Sequence, residues 1–344
     1  MSEMIRSRAP VRIDFAGGWT DVPPFSAEVG GCVVNAAITR YAYAAVVAHE
    51  AGEYRLESGD YDTYVEGRSI RQMEYDGNLD LLKAAAKKLD LPSGIEISVR
   101  SDAPPGSGTG SSASIGVAML GLLDHLRGTN PFQRRSRLSR FELAELACRM
   151  EEDLGIVGGK QDQYSAAIGG FNYMQFYGDG KVSIEPLELP QAVICDLEKH
   201  LVLCYSGESR LSGTTNTQMI KAYEGGDPVV TGALRTVKRV AQDMHRALLA
   251  CDLHWFGELL EEEWRARRLL SPGVVTARLD ELRRAALQGG AVSGKVCGAG
   301  GGGCMLFLAQ SDREGAVRKA LQEAGGQIID FSFDFRGLAV WETE

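Results

Sequence analysis

Residues 104–114 read Pro-Pro-Gly-Ser-Gly-Thr-Gly-Ser-Ser-Ala-Ser. Gly106, Gly108 and Gly110 let the backbone approach an anion closely, because no Cβ stands in the way. Ser107, Thr109, Ser111 and Ser112 add hydroxyls as donors or metal ligands. The segment follows a strand pattern at 94–100 (GIEISVR) and runs into an apolar helical pattern at about 112–126. A helix N-terminus presents unpaired N–H groups and a positive dipole end. The chemistry points to a phosphate site; a serine-capped surface turn is the alternative reading of the same residues.

Two other glycine motifs lack the right context. Gly289, Gly294 and Lys295 begin a P-loop pattern, but Val296 stands where Ser or Thr must meet magnesium, and the segment follows a helix rather than a strand. Gly298, Gly300 and Gly303 match GxGxxG, but they lead into the strand CMLFL, where a dinucleotide site needs a helix.

Carboxylates come next. Glu151, Glu152 and Asp153 end a helical pattern over 139–154, where a charge run is ordinarily a solvated face. Asp162 follows Gly158-Gly159-Lys160-Gln161 and opens another element. An Asp there can cap a helix as well as serve as a base.

The elements that must position these residues follow from periodicity. Val11, Ile13 and Phe15 alternate with Arg12 and Asp14, so 5–16 predicts a half-buried strand. A glycine-proline turn, Gly17 to Pro24, follows. Residues 32–48 predict one long strand or two short ones. A helix over 79–90 stops before Pro92. The basic stretch 127–140 reads as an exposed loop, and 171–189 as two strands about Gly178-Asp179-Gly180. Beyond a boundary near 190, a strand at 200–205 and a helix at 212–224 precede three helical segments over 231–288. A strand at 291–297, another at 303–309, a helix at 312–324 and two terminal strands complete the chain. Antiparallel hairpins mixed with helices predict an α+β class.

Composition excludes several functions. With 37 basic and 46 acidic residues in 344, the net charge of −9 opposes a general nucleic-acid binder. No run approaches ~20 apolar residues, so no membrane-spanning helix is expected. The N-terminus lacks the apolar core of a signal peptide. Seven cysteines without a CxxC pair predict reduced thiols in a cytoplasmic protein. The sequence leaves open whether the chain forms a homo-oligomer.

Three segments in order resemble the GHMP kinase superfamily: Ala9-Pro-Val-Arg-Ile-Asp-Phe-Ala-Gly-Gly-Trp-Thr-Asp21, Pro104 to Ser114, and Lys295 to Cys304. The likeness covers essentially the whole chain and lies nearest the sugar 1-kinases. RIDFAGGWTDVPPF looks like the L-fucokinases. GGKQDQYSAAIGGFNYMQF and LVLCYSGESRLSG look like the heptose 7-phosphate kinases, which are favoured. The resemblance implies a ribosomal-protein-like N-terminal domain (1–190), a ferredoxin-like C-terminal domain (191–344) and a site between them. It implies ATP as co-substrate, Mg2+, and a sugar phosphate acceptor whose product serves nucleotide-activated heptose and surface polysaccharide.

It also implies roles. Asp162 matches the aspartate that takes the acceptor proton, and Arg12 an arginine stabilising negative charge. Residues 106–112 match the phosphate loop. Glu151, 11 positions before Asp162, and Ser112 or its neighbour Ser111 match the magnesium ligands. Gly18, Trp19, Thr20 and Asp21 match the sugar loop, with Asp21 accepting sugar hydroxyls. Galactokinases carry Glu-His where this chain has Gly18-Trp19, so galactose is not expected. A substrate that already bears a phosphate needs a cation near the acceptor site. Lys160 is the first candidate and Arg210 the second; a surface lysine and an inter-domain salt bridge are the plainer readings.

Overall fold

The computed structural model describes residues 4–48, 52–90, 94–129, 137–209 and 212–343. The first half contains β1 (Met4–Ala16), α1 (Phe25–Glu28), β2 (Gly31–Ala48), β3 (Tyr54–Ser58), β4 (Thr63–Gly67), α2 (Asp80–Lys88), β5 (Ile95–Ser101), α3 (Ser111–Thr129), α4 (Arg140–Asp153), α5 (Gln161–Ile168), β6 (Phe171–Phe176) and β7 (Val182–Pro186). The second half contains α6 (Gln191–His200), β8 (Leu201–Tyr205), α7 (Ser212–Glu224), α8 (Pro228–Leu249), α9 (Leu253–Arg267), α10 (Ala277–Gly289), β9 (Ala291–Val296), β10 (Cys304–Ala309), α11 (Glu314–Glu323), β11 (Gln327–Ile329) and β12 (Ala339–Thr343).

β2 is one strand of 18 residues, which settles the alternative its sequence leaves. Its first part pairs with β6 and its last part with β5, while β1 runs antiparallel along nearly all of it. The large sheet has the order β12-β1-β2-β5-β3-β4, with β6 on β2 and β7 on β6. The second sheet is antiparallel, β11-β8-β10-β9. After β7 the chain builds this second sheet, then returns to the first through a bridge from Phe333 to Ile38 of β2 and through β12. These mixed helices and sheets are of the α+β class.

Local chemistry explains the boundaries. Ser139 and Glu142 form a reciprocal capping box at the start of α4. Asp227 caps α8 ahead of Pro228 at its first turn, and Asp252 caps α9. α3 is apolar on all sides because it is enclosed: Val117 to Leu120 are fully buried against β1, β2 and α5. The basic stretch splits: α3 extends to Thr129, and 130–136 lie outside the described residues. Four elements escape the sequence reading: the short helix α1, the paired strands β3 and β4, and α6.

The sheets are joined by one core. Val11, Ile13 and Phe15 of β1 meet Leu201 and Leu203 of β8, Leu306 of β10 and the apolar faces of α8 and α9. The alternate residues Val202, Cys204, Met305 and Phe307 face a separate apolar cluster with α10 and α11. The period-two pattern thus sets both faces of the second sheet.

Candidate active site

The glycine-serine segment spans the gap between β5 and α3. Gly106, Gly108 and Gly110 all have φ between +68° and +81°, a region that favours glycine. A Cβ on Gly108 would stand 2.2 Å from the Cys297 carbonyl oxygen, and one on Gly303 2.6 Å from that of Ser107. Cys304 N–H donates to the Ser107 carbonyl at 2.7 Å. The 297–303 run that mimics a dinucleotide motif is therefore the platform on which the phosphate loop rests. Ser107 Oγ lies 2.7 Å from Thr109 Oγ1 and 3.3 Å from Ser111 Oγ. Thr109 is buried and braces the loop, whereas Ser111 and Ser112 line a cavity of about 1070 Å³.

Arg12 and Asp162 meet in that cavity. Arg12 Nε donates to Asp162 Oδ1 at 2.8 Å, and Nη2 lies 2.7 Å from the same oxygen. Arg12 Nη1 donates to the Gly108 carbonyl at 2.6 Å, which ties the pair to the phosphate loop. Burial pulls the Arg12 guanidinium down, but the Asp162 and Asp14 charges outweigh it and hold it above its ordinary value. α5 has no side-chain cap, so the capping alternative for Asp162 does not hold.

Asp21 is buried, lines the same cavity and accepts from the backbone N–H groups of Trp19 and Gln161, each at 3.1 Å. Burial, with the charges of Asp162 and Asp14 added, pushes its carboxyl up to about 6. Gly159 must lack a side chain, since its Cβ would stand 1.9 Å from Asp21 Oδ2. Gly18 and Trp19 also line the cavity. Thr20 does not: its buried hydroxyl donates to the carbonyls of Gly17 (2.7 Å) and Cys32 (2.9 Å), bracing the loop from behind.

Glu151 lines the cavity and accepts from Gln163 Nε2 at 2.8 Å. Burial and then the neighbouring Asp162 charge push it up to about 8. Glu152, one residue on, holds Lys160 Nζ at 2.8 Å. Lys160 borders a side pocket of about 170 Å³, which shares Val22, Glu151 and Gly159 with the large cavity. Arg210 lies outside the described residues. The α7 helix after it brings Gly213, Asn216 and Thr217 to the cavity wall, and Asn216 Nδ2 donates to the Val157 carbonyl at 3.0 Å. Asn216, Asp14 and Arg267 also line the cavity; Asp14 falls within the first motif segment without a role assigned to it, and no sequence motif marks Asn216 or Arg267.

The GHMP kinases N terminal domain model matches residues 79–170, and the GHMP kinases C terminal model matches 244–327. A D-glycero-alpha-D-manno-heptose 7-phosphate kinase of Campylobacter jejuni is 32% identical over 343 residues, covering 98% of both chains. A bifunctional fucokinase/GDP-fucose pyrophosphorylase of Arabidopsis thaliana is 26% identical over 91% of this chain and 31% of its own. A solved structure described as a D-glycero-D-manno-heptose 1-phosphate kinase from Bacteriodes thetaiotaomicron superposes with a TM-score of 0.80, at 30% identity and 99% coverage of each chain. Both halves of the fold and nearly the whole length of the chain are matched, and the protein belongs to the GHMP kinase family.

Proposed function

We propose that this chain transfers the γ-phosphoryl group of ATP to the anomeric 1-hydroxyl of D-glycero-D-manno-heptose 7-phosphate, giving the 1,7-bisphosphate. The observation that carries this reading is the Arg12–Asp162 pair bound to the phosphate loop through Gly108. In this reading the Asp162 carboxylate stands where an acceptor hydroxyl meets a bound triphosphate. Asp162 orients that hydroxyl and accepts its proton. Arg12 keeps Asp162 in place and offsets negative charge as the new oxygen–phosphorus bond forms. Phosphoryl transfer asks mainly for such positioning and charge neutralisation. Asp21, above its ordinary carboxylate range but ionised at neutral pH, accepts from the sugar's hydroxyls.

The triphosphate lies along Gly106–Ser112, with the N-terminus of α3 facing it. We assign its base to Ser58, Tyr61, Asn78 and Leu79, which line the same cavity. Mg2+ fits this donor set. Among the described residues no three His, Cys, Asp or Glu side chains converge, and magnesium at a nucleotide is ordinarily held by one or two carboxylates plus phosphate oxygens. Glu151, kept protonatable by burial beside Asp162, is the carboxylate that a divalent cation would relieve. Glu151 with Ser112 would hold the ion, which supplies Lewis-acid neutralisation of phosphate charge when bound.

Among the described residues the cations lining the large cavity are Arg12 and Arg267, and carboxylates hold both. Lys160 Nζ is paired with Glu152 at 2.8 Å, which leaves less of its charge for an acceptor. We therefore place the 7-phosphate first with Arg210, ahead of α7, and second with Lys160. The engaged cations also favour a second reading, an L-fucokinase with a neutral acceptor, in keeping with the fucokinase relatives. We divide the chain near residue 190, between β7 and α6, and place the protein in the cytoplasm. Phosphorus–proton correlation NMR of the product tests the chemistry. Beside the 7-phosphate already present, a new phosphate coupled to the anomeric proton supports it, and a new phosphate coupled at any other carbon overturns it.

A further inference from the structure

Beneath the acceptor loop lies a group of four charges that the reaction as described does not use. Asp14 comes from β1, Glu263 and Arg267 from α9, and Lys295 from β9. All four side chains are 0% exposed. Lys295, the residue that mimics a P-loop lysine, lies 3.2 Å from Asp14 Oδ2 and 3.3 Å from Glu263 Oε1. It also donates to the Asp14 carbonyl at 2.9 Å. Two carboxylates thus face two cations, and the group is neutral.

Arg267 does more than balance charge. Its Nε donates to Glu263 Oε1 at 2.8 Å and its Nη2 to Asp14 Oδ2 at 2.8 Å. Nη1 donates to the Gly298 carbonyl at 2.6 Å, and Nη2 reaches the Gly18 carbonyl at 3.4 Å. One planar fork therefore joins the loop of Gly17–Asp21 to the glycine platform under the phosphate loop. A lysine ammonium is a point donor and cannot reproduce that fork. The fit is close: a Cβ on Gly18 would stand 2.3 Å from Asp14 Oδ2 and 2.8 Å from Arg267 Nη2. Within the same loop Trp19 N–H holds Asp21 Oδ1, so a shift at Gly18 moves the carboxylate that faces the acceptor.

We propose that Arg267 is a positioning residue of the acceptor site, setting the Gly18–Asp21 loop, and with it Asp21, at a fixed height over the Gly298 platform. The proposal rests on the reading of Asp21 as the sugar-facing carboxylate. It concerns acceptor binding and not the nucleotide. Arg267→Lys keeps the buried charge and removes the fork. Gly18→Ala presses on the same contact from the loop side and leaves every charge in place; Gly18 has no positive φ, so the strain falls on the Asp14 and Arg267 side chains and not on its own backbone.

The experiment is steady-state kinetics of both variants and their double mutant with heptose 7-phosphate and ATP, alongside amide hydrogen exchange. Losing directed bonds to a charged group corresponds to about a tenfold rise in acceptor KM. The ATP KM should stay within about twofold, kcat should move less than the acceptor KM, and the double mutant should be less than multiplicative, because one contact is lost. Exchange in residues 17–21 should accelerate in Arg267→Lys while α4 is unchanged, a readout that needs no turnover. The proposal is overturned if neither variant raises the acceptor KM beyond about twofold, if the ATP KM rises in parallel, or if exchange at 17–21 is unaltered. Should Arg267→Lys fail to fold, Gly18→Ala decides by the same criteria. If the wild type turns over another sugar in place of heptose 7-phosphate, the substrate reading fails and the same variants are compared on that sugar.

Discussion

Arg12 and Asp162 stand 150 residues apart in the chain and share one oxygen, with Nε at 2.8 Å and Nη2 at 2.7 Å from Asp162 Oδ1. Two guanidinium nitrogens on one oxygen leave Oδ2 for an acceptor hydroxyl. That oxygen lies beside the phosphate loop, where a Cβ on Gly110 would stand 2.9 Å from it. The glycine is thus required by the carboxylate as well as by its own positive φ.

Asp162→Asn should keep the fold and nucleotide binding, because the amide oxygen still accepts from Arg12. Turnover should fall by about 10²–10⁴-fold, the usual effect of removing a general base. Single-turnover kinetics with ATP and the acceptor check this. An Asn variant within about threefold of wild type would remove Asp162 from the mechanism.

Asp21 should give the acceptor KM its acid limb. Its carboxyl is raised to about 6, so it loses its charge as pH falls through that value and no longer accepts strongly from sugar hydroxyls. The acceptor KM should rise below pH 6 while the ATP KM does not follow. Folding has the opposite sign: a carboxyl raised from 3.8 favours its protonated form in the fold, so this group's contribution to stability grows as pH falls from 6 toward 3.8. Asp21→Asn should abolish the inflection in acceptor KM and raise Tm at pH 7.5. An inflection that survives the substitution assigns the limb to another group.

Glu151 makes a separate prediction. Burial and the Asp162 charge raise its carboxyl to about 8, so its ionised form is a cost in the metal-free fold. Glu151→Gln should therefore raise the Tm of metal-free protein at pH 8 and also raise the magnesium concentration needed for half-maximal activity. Glu152→Gln, which releases Lys160, should leave the magnesium requirement unchanged. A magnesium requirement that moves with Glu152 and not with Glu151 contradicts the assignment of the ligand.

The 7-phosphate anchor can be read from two variants. Losing a charge-assisted contact of roughly 1.5–3 kcal/mol weakens binding about 10–150-fold. Arg210→Met should raise the heptose 7-phosphate KM by that amount and leave the ATP KM alone. Lys160→Met should have a smaller effect, since Lys160 is already paired with Glu152. Equal KM values for both variants and wild type would place the phosphate on neither residue.

What the sequence shows and hides follows from the range of the interactions. The phosphate loop, β1, β5 and α4 are legible because their glycines, alternation and caps are local signals. β3 and β4 are hidden because each is five residues long and half-buried, and β4 has an open face with Tyr64 and Glu66 outward. α6 is hidden because Pro190, just before it, reads as punctuation. Asp162 and Asp21 stand out through motifs, but Arg267 and Glu263 lie in an ordinary amphipathic helix. Their partners Asp14 and Lys295 are 253 and 28 positions from Arg267 in the numbering, and only the fold brings them together. Lys160 is legible only in part: its place two residues before Asp162 suggests a substrate contact, and the fold adds a pairing with Glu152 at the edge of the side pocket that no local pattern announces.

The most direct test is the ratio of kcat/KM for D-glycero-D-manno-heptose 7-phosphate to that for L-fucose, measured on the purified chain at saturating ATP and magnesium. The phosphorylated heptose should be preferred by at least about tenfold, the smallest gain expected from a charge-assisted contact to its phosphate. A preference for free fucose would contradict the substrate while leaving the family in place, and transfer to neither sugar would contradict the proposed reaction itself.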